Sequence, residues 1–208
     1  MEVYDTVALD VKKIIVDTFL DLCKQKSLHK ISIQNIVDAS GVSRQTFYNH
    51  FCDKLELIKY VYETRVIYDF VSAESVSLDF YGCCLNSMIA EREYLYFMKP
   101  ALEITGPNCL ADYMYEHTAM FDGQYHQHYY GEEEMPHIMK MVSDYHAYAA
   151  MHMHIQWILG GCKEPPEYYI DIWMKARTAS MDELFFKNRE SSPYYIASTE
   201  KNIAIGRE

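Results

Sequence analysis

Apolar residues, with one threonine among them, recur near the start of the chain at the spacing of a single helical face. They are Val7, Val11, Ile14, Ile15, Thr18, Phe19 and Leu22. Charged residues, including Lys12, Lys13 and Asp17, fill positions between them. A rhythm of i, i+4, i+7 and i+8 places these side chains on one side of an α-helix, so the pattern predicts an amphipathic first helix.

Three shorter helices are predicted next, each behind a polar residue that can cap its first turn. Ser32, Ser43 and Asp53 stand where a side-chain oxygen can accept a hydrogen bond from an unpaired backbone N–H. Gly41 ends the first of the three, because the residue after a helix commonly needs positive φ. The helix behind Asp53 is expected to continue to Val66.

Beyond residue 70 the chain shows only helical periodicity, interrupted by glycine and proline. The predicted breaks are at residues 72–75, Pro100, Gly106 with Pro107, Gly123, residues 131–136, Gly160 with Gly161, and Pro165 with Pro166. They delimit about five further helices. The last two are expected to run from about Pro136 to Leu159 and from Pro166 to Lys187. The chain is therefore predicted to be all-α, with about nine helices.

The second and third predicted helices have the layout of a helix-turn-helix. Such a motif lets its second helix enter a major groove about 12 Å wide while neighbouring helices hold it by packing. Val42, Phe47 and Phe51 are core candidates. The other face is polar and consists of Arg44, Gln45, Thr46, Tyr48, Asn49 and His50. Donors and acceptors in this arrangement suit base edges and phosphates.

Composition narrows the class of protein. The 208 residues are 50% hydrophobic, enough for a packed core rather than a disordered chain. The six cysteines form no CxxC pair, no apolar leader opens the chain, and no run approaches the roughly 18 apolar residues of a membrane span. A soluble protein of the reducing cytoplasm, with no membrane partner, is expected.

The net charge of −11 argues at first against DNA, because lysine and arginine supply most non-specific affinity for phosphates. Its distribution changes that conclusion. Residues 1–65 carry nine Lys and Arg against nine Asp and Glu, whereas residues 66–208 carry ten against twenty-one. The acidic excess is expected to be a solvated surface that faces away from DNA.

The stretch ISIQNIVDASGVSRQTFYNHFCDKLEL, from Ile31 to Leu57, resembles the TetR family of bacterial regulators. The positions of the family pattern are filled by Ser32, Ser40, Gly41, Val42, Ser43, Thr46, Phe47, Tyr48, Phe51, Lys54 and Leu57, with Ser40 in place of the usual alanine. The resemblance implies a DNA-binding domain over residues 1–52, a helical regulatory and dimerisation domain over 53–190, and a tail over 191–208. Gln45 departs from the usual glycine or alanine, and its amide could recognise adenine bidentately.

By this resemblance, five residues are expected to contact phosphates: Ser43, Thr46, Tyr48, His50 and Lys54. We expect base contacts from Arg44, Gln45 and Asn49. Ser32 is first a helix cap, with a DNA contact as an even alternative. The alternatives are a solvated role for Thr46 and Lys54, and coverage of the core edge for Tyr48.

The resemblance also implies that the last two helices form a four-helix dimer interface with a second subunit. The candidate stripe is Tyr148, His152, Ile155, Leu159, Trp173, Ala176 and Ser180. Core packing within one subunit is the alternative for each of them. Two recognition helices about one DNA turn apart would suit a palindromic operator.

Tyrosine and methionine are frequent, at 19 and 12 residues, and many cluster between residues 94 and 130. A cavity lined by them would take a partly apolar or aromatic small-molecule effector. The candidate lining is Tyr94, Phe97, Met98, Tyr113, Met114 and Phe121, with an ordinary core as the alternative. Metal binding is the weaker interpretation of the histidines, and would need His126 and His128 in a loop.

The predicted function is a dimeric regulator that represses transcription until an effector enters its C-terminal domain, with the fourth helix coupling the two sites. The alternative is a co-regulator of the same family whose effector is a protein partner on the acidic C-terminal domain. No phosphate-binding, dinucleotide, metalloprotease or kinase motif is present, so neither an enzyme nor a cofactor is expected.

Overall fold

A computed structural model describes residues 2–67, 79–131 and 133–178 of the chain. Within those ranges it is all-α, with nine α-helices, one short 3-10 helix and no strand. The all-α prediction is confirmed. The chain divides into two compact units, Met1–Ile170 and Asp171–Glu208.

The N-terminal part is a cluster of short helices around one core. Its elements are α1 Glu2–Gln25, the 3-10 helix Leu28–Lys30, α2 Ile33–Ser40, α3 Arg44–Tyr48 and α4 Lys54–Arg65. Completely or almost completely buried side chains from all four helices meet in the core: Ile15, Phe19, Ile36, Phe47, Leu57 and Ile58. Burial of each such side chain contributes about 1.5–3 kcal/mol to folding.

The buried face of α1 is rotated from the predicted one. Ile14 is 46% exposed, whereas Val16 and Leu20 are buried beside Ile15 and Phe19. The predicted and the observed buried residues both follow helical spacing. The sequence pattern alone therefore did not decide which of the two sets faces the core.

The remaining helices are α5 Phe80–Glu93, α6 Leu95–Leu102, α7 Leu110–Tyr130, α8 His137–Leu159 and α9 Pro166–Thr178. Two predicted breaks lie inside helices: Pro100 is within α6 and Gly123 is within α7. Pro100 removes a donor only near the end of a short helix, and a helical glycine costs only about 1 kcal/mol. The predicted end of α9, near Lys187, lies outside the described residues.

Two sets of contacts join the N-terminal helices to the later ones. α1 packs on α2 and on α6, where Phe19 and Phe97 meet edge to face with ring centroids 6.1 Å apart. α4 packs on α7, and α7 lies along α8 as the most extensive helix pair. The start of α4 therefore lies beside the helix-turn-helix and its later turns contact α7.

Candidate nucleic-acid interface

Local sequence signals fix the geometry of α2, the turn and α3. Ser32 accepts a hydrogen bond from the backbone N–H of Asn35, and the Asn35 side chain accepts one in return from the Ser32 N–H. Gly41 has φ +72°, in the left-handed region that favours glycine. Ser43 then caps α3 by accepting from the Thr46 N–H at 3.0 Å. The predicted caps and turn are confirmed, as is the Asp53 cap of α4.

The exposed face of α3 carries the predicted polar set. Gln45 and Asn49 are both exposed, and Gln45 Nε2 donates to Asn49 Oδ1 at 2.9 Å. The Ser43 and Thr46 hydroxyls lie 2.7 Å apart. These bonds connect side chains one helical turn apart, so they order the surface before any partner arrives.

Tyr48 has two roles in this surface. Its ring meets the buried ring of Phe47 edge to face at 5.6 Å, which covers the edge of the core. The side chain is nevertheless 40% exposed, and its hydroxyl accepts a hydrogen bond from Arg44. His50 follows α3 and is half-buried.

Arg44 is linked to α2 by a residue that the sequence analysis did not single out. Its Nη1 donates to Gln34 Oε1 at 3.3 Å, and Gln34 Nε2 donates in turn to Asp38 Oδ1 at 2.7 Å. Gln34 is exposed and lies on the same surface as α3. A contact ten residues apart leaves no local signal, so only the folded structure identifies it.

Lys54 is engaged with backbone rather than free in solvent. Its Nζ donates to the carbonyl of Ile31 at 3.0 Å and to that of Leu28 at 3.3 Å. Burial lowers the pKa of Lys54 below its ordinary 10.5, an effect that the neighbouring Cys23 partly offsets. The lysine ties the start of α4 to the end of the 3-10 helix.

A shallow cleft of about 430 Å³ opens where the first turns of α2 and α4 approach each other. Its lining is Ile31, Ser32, Ile33, Asp53, Lys54 and Leu55. Two helix N-termini direct partial positive charge toward this cleft, which is an arrangement that suits an anion such as a phosphate.

The six candidate pocket residues have different environments. Phe97, Met98 and Met114 are completely buried, and Phe121 is 6% exposed. Tyr94 lines a separate shallow cleft of about 420 Å³ beside α4. The Tyr113 hydroxyl donates to Glu63 of α4, and burial, then this hydrogen bond, raises the pKa of Tyr113.

A larger groove lies between the second half of α7 and the first half of α8. Its volume is about 840 Å³, and none of the six candidate residues lines it. The lining is Ala119, Met120, Gly123, Gln124, Gln127, His128, Gly131, Met135, Lys140, Ser143 and Asp144. Ala119 and Gly123 leave room there because they carry little or no side chain.

The candidate dimer residues lie on several sides of their helices. Tyr148 is 48% exposed and stacks on Tyr115, and His152 is exposed with its Nδ1 3.1 Å from the Tyr115 hydroxyl. Ile155 is buried within the subunit. The others are Leu159, which is half-buried, Trp173, which is buried, Ala176, which is exposed, and Ser180, which lies outside the described residues.

A continuous exposed apolar face on α8 extends the predicted stripe from Tyr148 toward the start of the helix. Its exposed residues are Ile138, Met141, Val142, Tyr145 and Tyr148, with exposed fractions from 48% to 70%. They follow helical spacing of three and four residues, so the face looks away from the core of the same subunit.

The loop proposed for two histidines is absent, because His126 and His128 both lie in α7. His126 Nδ1 is 2.7 Å from Ser143 Oγ. Among the described residues no group of three His, Cys, Asp or Glu side chains is arranged to hold a metal ion. In the same part of the chain, no helix combines the length and apolar character of a membrane span.

Two regions of the chain match known protein families. Residues 15–61 match "Bacterial regulatory proteins, tetR family", and residues 86–178 match "Transcriptional regulator C-terminal region". The HTH-type dhaKLM operon transcriptional activator DhaS of Lactococcus lactis subsp. lactis (strain IL1403) is 35% identical over 71 residues, which are 34% of this chain and 36% of that protein. The chain thus matches about a third of that relative's length.

A solved structure supports the fold. The dihydroxyacetone kinase operon activator DhaS superposes with a TM-score of 0.60 and 20% identity, over 80% of this chain and 93% of that one. At this level of identity the likeness concerns the arrangement of helices alone.

Proposed function

Because the chain belongs to the TetR family of bacterial transcriptional regulators, we propose that it binds a palindromic DNA operator as a homodimer in the cytoplasm. The observation that carries the proposal is the surface of α2 and α3, where Arg44, Gln45 and Asn49 present ordered, exposed polar groups. Phe47 buries the opposite side of α3 completely, so the helix is held by its core while its polar face stays available.

Phosphate contacts are assigned to the ends of the helices. The cleft at the first turns of α2 and α4 offers Ser32 and the third donor of the Lys54 ammonium group to one phosphate. Ser43, Thr46 and the Tyr48 hydroxyl flank the base-contacting residues along α3. His50, half-buried after α3, completes this proposed set.

Self-association is supported by the exposed apolar face of α8. Five large apolar side chains with exposed fractions near or above one half form one contiguous stripe. Contiguous apolar surface of this kind marks an interaction site in a water-soluble protein. A twofold-symmetric pairing through α8 would also give two recognition helices, as a palindrome requires.

Regulation would run through α4, whose first turn lies beside the proposed DNA surface and whose later turns contact α7. A small-molecule effector in the C-terminal helices must bind one arrangement of α4 more tightly than another in order to change DNA affinity. Repression is the family norm and remains our expectation for the direction of control. The relative from Lactococcus is named as an activator, so activation is the alternative.

A protein effector is the second candidate. Phe97, Met98 and Met114 are completely buried, whereas the groove between α7 and α8 is open and lies in the acidic part of the chain. Under this alternative, charge reversal at Asp144, which lines the groove, abolishes regulation and leaves operator affinity intact. Under the proposal that a small-molecule effector binds among the buried residues Phe97, Met98 and Met114, the same change leaves regulation intact.

The proposal is tested by selecting bound sequences from a random pool of double-stranded DNA. The wild type is compared with a Gln45→Ala, Tyr48→Ala double variant. Recovery of one palindrome by the wild type alone supports the proposal and supplies an operator for effector screening. Recovery of no sequence by the wild type at low salt contradicts direct DNA binding.

A further inference from the structure

The guanidinium group of Arg44 is held from two sides on the exposed surface of α2 and α3. Nη1 donates to Gln34 Oε1 at 3.3 Å, and Nη2 donates to the Tyr48 hydroxyl oxygen at 3.3 Å. The guanidinium carbon also lies 5.5 Å from the centre of the Tyr48 ring. Two hydrogen bonds and one ring contact restrict a side chain that would otherwise sample many rotamers.

Asp38 sets the orientation of the Gln34 amide. A carboxylate only accepts hydrogen bonds, so the Gln34 amide nitrogen must face Asp38, and it does so at 2.7 Å. The guanidinium of Arg44 only donates, so the amide oxygen must face Arg44. Both neighbours therefore require the same orientation of the Gln34 amide. Its hydrogen bonds to Asp38 and to Arg44 can form at the same time.

Three of the five N–H donors of Arg44 remain after these contacts within the described residues. A guanidinium fork matches the O6 and N7 acceptors of guanine in the major groove, whereas adenine presents a donor beside its acceptor and cytosine presents a donor. The tyrosine hydroxyl, having accepted from Arg44, keeps its own hydrogen for a phosphate. Thymine presents only the O4 acceptor beside its methyl group, so guanine is the base that offers two acceptors to the fork.

We propose that Arg44 recognises one guanine in each operator half-site, with Gln34 and Tyr48 as positioning residues and Asp38 as the residue that orients Gln34. The inference rests on the proposed function, since it names the base chemistry of the same DNA surface. It assigns Gln34 a role in sequence preference without contact to the base.

The first test uses the palindrome recovered from the random pool. Each guanine of a half-site is replaced in turn by 7-deazaguanine, which lacks the N7 acceptor, or by hypoxanthine, which keeps O6 and N7 and lacks only the minor-groove amino group. Dissociation constants are measured by fluorescence anisotropy at one salt concentration. At one guanine per half-site we expect 7-deazaguanine to weaken wild-type binding by about fivefold or more, and hypoxanthine to leave it nearly unchanged.

The variants assign that effect to residues. Arg44→Met removes all five N–H donors and keeps an unbranched side chain, so it should bind the guanine and 7-deazaguanine duplexes equally well. Gln34→Ala should reduce the preference for guanine by about threefold or more while leaving affinity for the 7-deazaguanine duplex at the wild-type value. Gln156→Ala removes the same kind of side chain from an exposed position on α8 and should retain the full preference.

The outcomes separate the two proposals. Failure to recover any sequence at low salt overturns DNA recognition itself. Recovery of a palindrome whose guanines all tolerate 7-deazaguanine, or a preference that Arg44→Met retains, overturns the guanine assignment and leaves the regulator intact. A preference that is lost in Arg44→Met and unchanged in Gln34→Ala overturns the positioning role of Gln34.

Discussion

His154 Nε2 lies 2.6 Å from Glu91 Oε2 in the interior of the C-terminal helices. The two side chains are only 9% and 1% exposed, so neither polar group is solvated by bulk water. The histidine ring also packs against Trp157 at a centroid distance of 5.7 Å and against Tyr169 at 6.1 Å. A polar pair is thus enclosed by aromatic rings between α5 and α8.

Removal of one partner is expected to destabilise the fold strongly. Glu91→Leu or His154→Phe leaves a buried polar group without its partner, at a cost of about 3–5 kcal/mol. The double replacement Glu91→Leu, His154→Phe should cost less than the sum of the two single changes, because it removes both polar groups. Urea unfolding of the four proteins measures the coupling, and additive losses would contradict it.

Gly41 and Gly123 make a matched pair of glycines. A Cβ at either position would meet no neighbouring side chain within 4 Å. The two glycines differ in conformation, because Gly41 has φ +72° and Gly123 lies within α7. Gly41→Ala should lower the free energy of unfolding by about 1–2 kcal/mol, because alanine is strained in the left-handed region. Gly123→Ala should raise it by about 0.5–1 kcal/mol through helix propensity. A loss of equal size in both variants would argue against backbone conformation as the cause.

Much of the DNA-binding half was predictable because its signals are local. Ser32, Gly41, Ser43 and Asp53 each act within four residues of their own position, through a cap or a left-handed turn. Phe47 and Phe51 were placed in the core by helical spacing alone, and both are buried.

The remaining features depend on contacts between distant segments. Gln34 of α2 accepts a hydrogen bond from Arg44 of α3, ten residues later in the chain. Lys54 donates to carbonyls 23 and 26 residues earlier in the chain. Pro100 and Gly123 are local helix breakers that packing of α6 and α7 overrides. The apolar character of α8 was visible in the sequence, but which side faced solvent was not.

His117 predicts a dependence of stability on pH. Burial lowers its pKa below the ordinary 6.5, an effect that the carboxylate of Glu63 partly offsets. The unfolded chain therefore takes up a proton near pH 6.5, and the folded chain takes it up only at lower pH. The contribution of His117 to the free energy of unfolding is complete above about pH 6.5. It is lost as the pH falls from there toward the pKa of His117 in the folded protein.

The variant His117→Phe keeps the ring contact with Phe121 and removes the titration. Between about pH 7.5 and about pH 5.5 it should lose less free energy of unfolding than the wild type. His137→Phe, at an exposed position at the start of α8, controls for the loss of a histidine and should follow the wild type. Parallel pH profiles for His117→Phe and wild type would contradict the assignment.

Lys54 is expected to support both folding and DNA binding. Lys54→Met removes the bonds to the Ile31 and Leu28 carbonyls, with an expected loss of about 1–2 kcal/mol in the free energy of unfolding. If its third donor meets a phosphate, the slope of log Kd against log salt should also fall by about 0.9 per protomer. Lys13→Met, an exposed charge on α1, should change neither quantity. A stability loss with an unchanged slope would restrict Lys54 to a structural role.

The apolar face of α8 yields the sharpest test of self-association. Val142 and Tyr145 are 49% and 70% exposed and lie three residues apart on that face. In a dimer that buries the face, Tyr145→Glu places a charge in an apolar contact without a partner, so the dimer dissociation constant should rise at least about tenfold. Val142→Glu should act in the same way.

Tyr81→Glu makes the same substitution at a 43% exposed tyrosine of α5 and should leave the dissociation constant unchanged. Sedimentation velocity over a range of concentrations measures the shift, and circular dichroism verifies that each variant is folded. Because a palindrome engages two recognition helices, Tyr145→Glu should also weaken operator binding while a single half-site is bound as before. A folded Tyr145→Glu variant that remains dimeric at wild-type concentrations would place the subunit interface elsewhere.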